Sequence, residues 1–147
     1  MTKFVWIFLV FLAGALLPIQ AGLNTRIGKE LQNPVWASLI SFAVGLIAML
    51  AYVLLTRQKM DTAGITNVPA TYWIAGALGA FYVTVIVLAF PRIGAALTFG
   101  LIVAGQLTIS LLLDHFKILV QHQHSINVYR VIGLILIICG VVIIRKF

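Results

Sequence analysis

PRIGAALTFGLIVAGQLTISLLLDHF, residues 91–116, decides what kind of molecule this is. From Ile93 to Leu113 no side chain carries a formal charge. At about 1.5 Å per residue, that run is long enough to cross a bilayer core of about 30 Å as one helix. Ala96, Gly100 and Ala104 recur every four residues and therefore share a helix face. Small residues at that spacing let a second backbone come close, which is how membrane helices associate when lipid offers no hydrophobic drive. They are the candidate oligomer interface. Gln106 sets an uncharged amide near the middle of the span. Such an amide either bonds a neighbouring helix or faces a wet cavity, and both readings stay open.

The rest of the chain has the same character. Of 147 residues, 63% are hydrophobic and 9% charged, with a mean hydropathy of +1.15. A soluble domain of this size has no use for so much apolar surface, so the class is an all-α integral membrane protein. The net charge of +7 would point to nucleic acid in a soluble chain. Here the basic residues stand singly at span ends and in loops, where they meet lipid headgroups, and nucleic acid is not an expected partner. The single cysteine, Cys139, lies in the last apolar run and cannot form an internal disulfide.

Hydropathy and breakers place five spans in one membrane domain, at about residues 4–23, 34–55, 72–90, 94–113 and 128–144. The first, with Lys3 before it and Ile19-Gln20-Ala21 near its end, also has the look of a cleavable signal peptide. Its apolar run is longer than a signal core and four more spans follow, so it is read as a retained helix. Pro18 should loosen that helix near its end, with Gln20 and Asn24 projecting from one face at the mouth. A short polar loop is expected over residues 24–33. Pro34 suits the first turn of the second span, and Trp36 suits the headgroup level. Ser38 and Ser41 are expected to bond their own backbone four residues back. Tyr82 lies one turn from Gly79 in the third span, and the loop after the fourth carries His115, His122 and His124.

Orientation in a bilayer follows the lysine and arginine content of the connecting segments. Lys3, Arg57, Lys59, Lys117 and Arg130 fall on one side; Arg26, Lys29, Arg92, Arg145 and Lys146 fall on the other. Five oppose five, so the bias vanishes. A chain without an orientation signal can insert both ways, and two oppositely inserted copies of an odd-numbered bundle form an inverted repeat of ten helices.

Several stretches carry a family resemblance. They are P-x-Q-A-x-x-N (Pro18, Gln20, Ala21, Asn24), N-P-x-W-A-S (Asn33 to Ser38) and G-Q-x-x-x-S-x-x-x-D-H (Gly105 to His115). With WIAGALGAFYV and YRVIGLILIICGVVI, they make the chain resemble the small YdcZ-like family of the drug/metabolite transporter superfamily, over nearly its whole length. The resemblance implies a bacterial inner-membrane protein of five helices, half of a ten-helix inverted-repeat transporter. It supplies no substrate.

The chemistry available is sparse. Glu30, Asp61 and Asp114 are the only carboxylates, all expected at or beyond span ends, which argues against antiport through a buried carboxylate. Asp114 with His115 is the remaining candidate for proton handling, its alternative being a solvated pair that ends the helix. Arg92, just before a helix N-terminus, suits an anionic group or a lipid phosphate. The alternate histidines lack a companion motif for metal, and no nucleophile–base pair or phosphate-cradling loop is present, so neither a metal, a cofactor nor catalysis is expected. The sequence thus points to a transporter of a small organic solute, working by alternating access as a homodimer or with a paralogue. Gln20, Asn24, Trp36, Tyr82, Arg92 and Gln106 would line the path. The competing reading is a non-transporting membrane subunit that stabilises a larger complex.

Overall fold

The structure, a computed structural model, describes residues 2–60 and 62–147; Asp61, one of the three carboxylates, lies outside the described residues. Among these, no strand occurs, and five helices are long and apolar enough to cross a membrane. We label them α1 (Lys3–Glu30), α2 (Pro34–Leu55), α3 (Ile74–Ile93), α4 (Ala95–Phe116) and α5 (Val128–Lys146). A single helical turn at Thr62–Ile65 and a 3-10 turn at Ala70–Trp73 lie between α2 and α3. The chain divides into two compact units, one running through Arg92 and the other from Ile93 onward.

In the first unit the expected loop over 24–33 is not a loop. α1 passes through Pro18 without ending and continues to Glu30. Its 28 residues extend about 42 Å, beyond the thickness of the hydrocarbon core. Thr25, Arg26, Lys29 and Glu30 are compatible with a helix; they end the apolar run, not the hydrogen bonding. The stop comes at a left-handed residue, Gln32 (φ 50°). Gln32 N–H donates to the Lys29 carbonyl at 3.1 Å and Asn33 N–H to the Gly28 carbonyl at 2.9 Å, the paired bonds that satisfy a helix C-terminus. Asn33 Oδ1 then accepts from the N–H groups of Val35 (3.0 Å) and Trp36 (3.4 Å), and Pro34 occupies the first helical position, as expected.

This tight reversal folds α2 antiparallel onto α1. The faces that meet are small: Ala21, Asn24 and Gly28 on α1, Ala37 and Ser38 on α2, all buried. α3 joins them through larger side chains. A methyl group at Gly22 would lie 3.8 Å from Phe90 Cζ, and one at Gly79 3.9 Å from Phe42 Cζ. The whole of α1 from Lys3 to Leu16 is exposed. Lipid is a good solvent for that surface, so nothing compels it to pack.

The second unit is the α4–α5 hairpin. Gly94, at φ +80°, starts it in a backbone conformation that a side chain would strain. Its carbonyl accepts both the N–H of Thr98 (3.1 Å) and the Thr98 hydroxyl (2.6 Å). Midway along, Gly100 admits Val141 of α5 so closely that an added methyl would sit 2.9 Å from Val141 Cγ2. The centre of the small-residue stripe is therefore filled within the chain, while Ala96 stays exposed and Ala104 half-buried.

Candidate functional site

The α1–α2 hairpin has a simple register. Gly28 lies against Pro34 and Ala37; one helical turn back along α1 is Asn24, and one turn on along α2 is Ser41. Helices folded on a tight turn must pair residues at equal steps from it, so Asn24 and Ser41 face each other. Asn24, 5% exposed, donates from Nδ2 to Ser41 Oγ at 3.1 Å. Gln20, a further turn out and exposed, reaches the same oxygen from Nε2 at 3.5 Å. Ser38 bonds its own helix as expected, to the Pro34 carbonyl at 3.4 Å. Ser41 instead accepts across the helix pair, a role missed in the sequence. Only the helix start at Asn33-Pro34 was legible in the sequence; that α1 runs up to it, so that equal counting along both helices leads to this pair, was not.

These polar groups border a crevice and two open grooves. Toward α3, Gln20, Asn24 and Tyr82 line a crevice with Leu17, Ala21, Val83, Ile86 and Val87, of about 10 Å³, room for a single water molecule. On the α2 side Gln20 and Ser41 border a groove of about 430 Å³ with Phe42, Gly45, Leu46, Met49 and Val83. On the other flank, Gln20, Asn24 and Ser41 border one of about 470 Å³ with aliphatic residues that include Leu16, Ile19 and Val44. Volumes of that order hold small organic ligands. None of these lining residues carries a charge. A few hydrogen-bonding groups in apolar walls orient a solute without binding an ion.

Residues 5–143 match the family model described as "Putative inner membrane exporter, YdcZ". The chain belongs to the YdcZ family. It is similar to the inner membrane protein YdcZ of Escherichia coli (strain K12), 29% identical over 133 residues that cover 89% of this chain and 83% of that protein. No solved structure matches the chain at a significant level. Membership of that family, with five apolar helices, makes it a multi-pass inner-membrane protein and, in general terms, a membrane transporter.

The other candidate residues of the chain lie elsewhere. Trp36 is exposed in the first turn of α2. Arg92 is exposed near the end of α3 and turns back on its own helix, Nη1 donating to the Leu88 carbonyl at 2.7 Å. Gln106 is exposed on α4. Asp114 and His115 clasp the α4–α5 loop. Asp114 Oδ2 pairs with Arg130 Nη1 at 3.2 Å, and that same nitrogen donates to the His124 carbonyl at 3.1 Å. The His115 ring accepts at Nδ1 from the Ile126 N–H at 3.2 Å, and its carbonyl accepts from Gln123 Nε2 at 2.8 Å. Among the described residues no three His, Cys, Asp or Glu side chains gather as a metal set.

Asp114→Asn should therefore loosen the loop. The ion pair is partly exposed, so its loss costs about 1 kcal/mol or less. Amide exchange over residues 117–127 should nonetheless speed up, because Arg130 loses the partner that holds it over His124. Slow exchange with loss of pH-driven solute flux would instead make Asp114 a proton carrier.

Proposed function

We propose that this chain is half of a carrier: two copies, oppositely inserted, enclose a route for a small organic solute and expose it alternately to each side. The observation that supports this reading is the Gln20–Asn24–Ser41 cluster bordering grooves that a single chain leaves open to one side. A non-transporting subunit would have sealed its polar groups between helices. Here Gln20 is exposed beside concavities of solute size. The balanced distribution of lysine and arginine is consistent with insertion both ways, and an inverted pair is the symmetry on which alternating access runs. Tyr82 closes the inner wall of the site. Trp36, Arg92 and Gln106 belong to the proposal as positions along the route outside this cluster, and Ala96 and Ala104 as surface for the partner copy.

The test uses the lone cysteine. In a Cys139→Ala background, Gly45→Cys places a thiol in the groove, where a side chain meets nothing within 4 Å. A membrane-impermeant maleimide should label it from either face of the membrane, because a solute route admits water. No labelling until the membrane is dissolved would place the groove in lipid and end the proposal. Reporters fused to the C-terminus should be active on both sides; activity on one side alone would remove the antiparallel pairing.

A further inference from the structure

What the grooves hold can be argued from what lines them. Their polar groups are the amides of Gln20 and Asn24 and the hydroxyl of Ser41; the remainder is apolar. No described lining residue ionises near neutral pH. Glu30 is six residues past Asn24, about 9 Å along the axis at the exposed end of α1. Arg26, two residues past Asn24, points about 200° away around the helix. An ion entering this space would shed its water with no opposite charge to meet it.

The hydrogen bonding is suited to something else. Gln20 is exposed and its bond to Ser41, at 3.5 Å, is at the limit of the geometry, so it is easily exchanged for a solute. Gln20 then offers both an N–H donor and a carbonyl acceptor, and Ser41 keeps its O–H to donate. Donor and acceptor side by side complement an amide or an alcohol. An ammonium, which only donates, or a carboxylate, which only accepts, uses half of the set.

Resting on the transport reading above, we infer that the solute is an uncharged amphipathic molecule. An amide- or alcohol-like head bonds Gln20 and Ser41, and an apolar body of one or two rings lies against Leu46, Met49 and Val83. Three probes of one shape test this: 2-naphthamide, 2-naphthoate and 2-naphthylmethylamine, which are neutral, anionic and cationic. Binding is measured by equilibrium dialysis to the full chain in phosphatidylcholine nanodiscs, against empty nanodiscs. The amide should bind about tenfold more tightly than either ion. Gln20→Leu and Ser41→Ala should each weaken it about fivefold, the worth of one hydrogen bond. Gln20→Leu alters an exposed position, so it serves even where Ser41→Ala misfolds. A charged probe that binds as tightly and depends on Gln20 overturns the neutral solute and leaves the route standing. Amide binding unchanged in Gln20→Leu, or no saturable binding of any probe, overturns the inference too. Labelling at Gly45 decides the route independently.

Discussion

Gly28→Val should unfold the α1–α2 hairpin and abolish transport with it. A methyl at Gly28 would lie 3.0 Å from Pro34 Cα and 3.4 Å from Ala37 Cβ. The first of these is backbone, held by the bonds of Gln32 and Asn33 to α1 and by the Asn33 cap on α2. It has nowhere to go. Overpacking a site of this kind costs about 1–3 kcal/mol per intruding group, and valine brings more than one. Once the helices part at Gly28, Ser41 leaves Asn24, because the register of the pair is counted from that turn. Gly28→Ala makes the sign diagnostic. In an exposed helix, glycine to alanine stabilises by about 1 kcal/mol, and Gly14→Ala, where nothing lies within 4 Å, should do so. At Gly28 the same change should destabilise. Thermal unfolding of the purified variants, with a melting point for Gly28→Val equal to the parent's, would refute this account.

Gly100→Leu should break the α4–α5 hairpin, and trimming Val141 should restore much of it. The added methyl would stand 2.9 Å from Val141 Cγ2 and 3.3 Å from Cγ1. Val141 is 7% exposed and β-branched, so it has no spare rotamer to escape into. Gly100→Ala alone should cost about 1–3 kcal/mol. In Gly100→Ala/Val141→Ala the loss should be smaller than the two single losses together, a coupling that a double-mutant cycle reads directly. Gly105→Ala, with open space around it, is the matched control. If Gly100 served only a partner copy, Gly100→Ala would dissociate the oligomer and Val141→Ala would do nothing to repair it.

Both variants touch glycines whose purpose hydropathy does not reveal. The run 91–116 announced a spanning helix, and the four-residue spacing of Ala96, Gly100 and Ala104 announced a close approach. Which helix approaches was open: Val141 of the same chain takes the central place. Ser41 looked like many other serines of membrane helices, content with its own backbone. Its role appears only when the turn at Gln32–Asn33 sets the register.

That contrast divides the two sources of information. Sequence alone established five membrane-crossing helices, an all-α class and the family resemblance, because insertion into lipid is decided residue by residue by apolar content along one segment. It misplaced the end of α1, since loss of apolar character marks where hydrocarbon ends and not where backbone hydrogen bonding stops. Tertiary structure alone decided that Asn24 meets Ser41 and that Gly100 meets Val141. Lipid does not drive helices together as water does, so the pairs that form depend on where each turn is made and which small residues come into register.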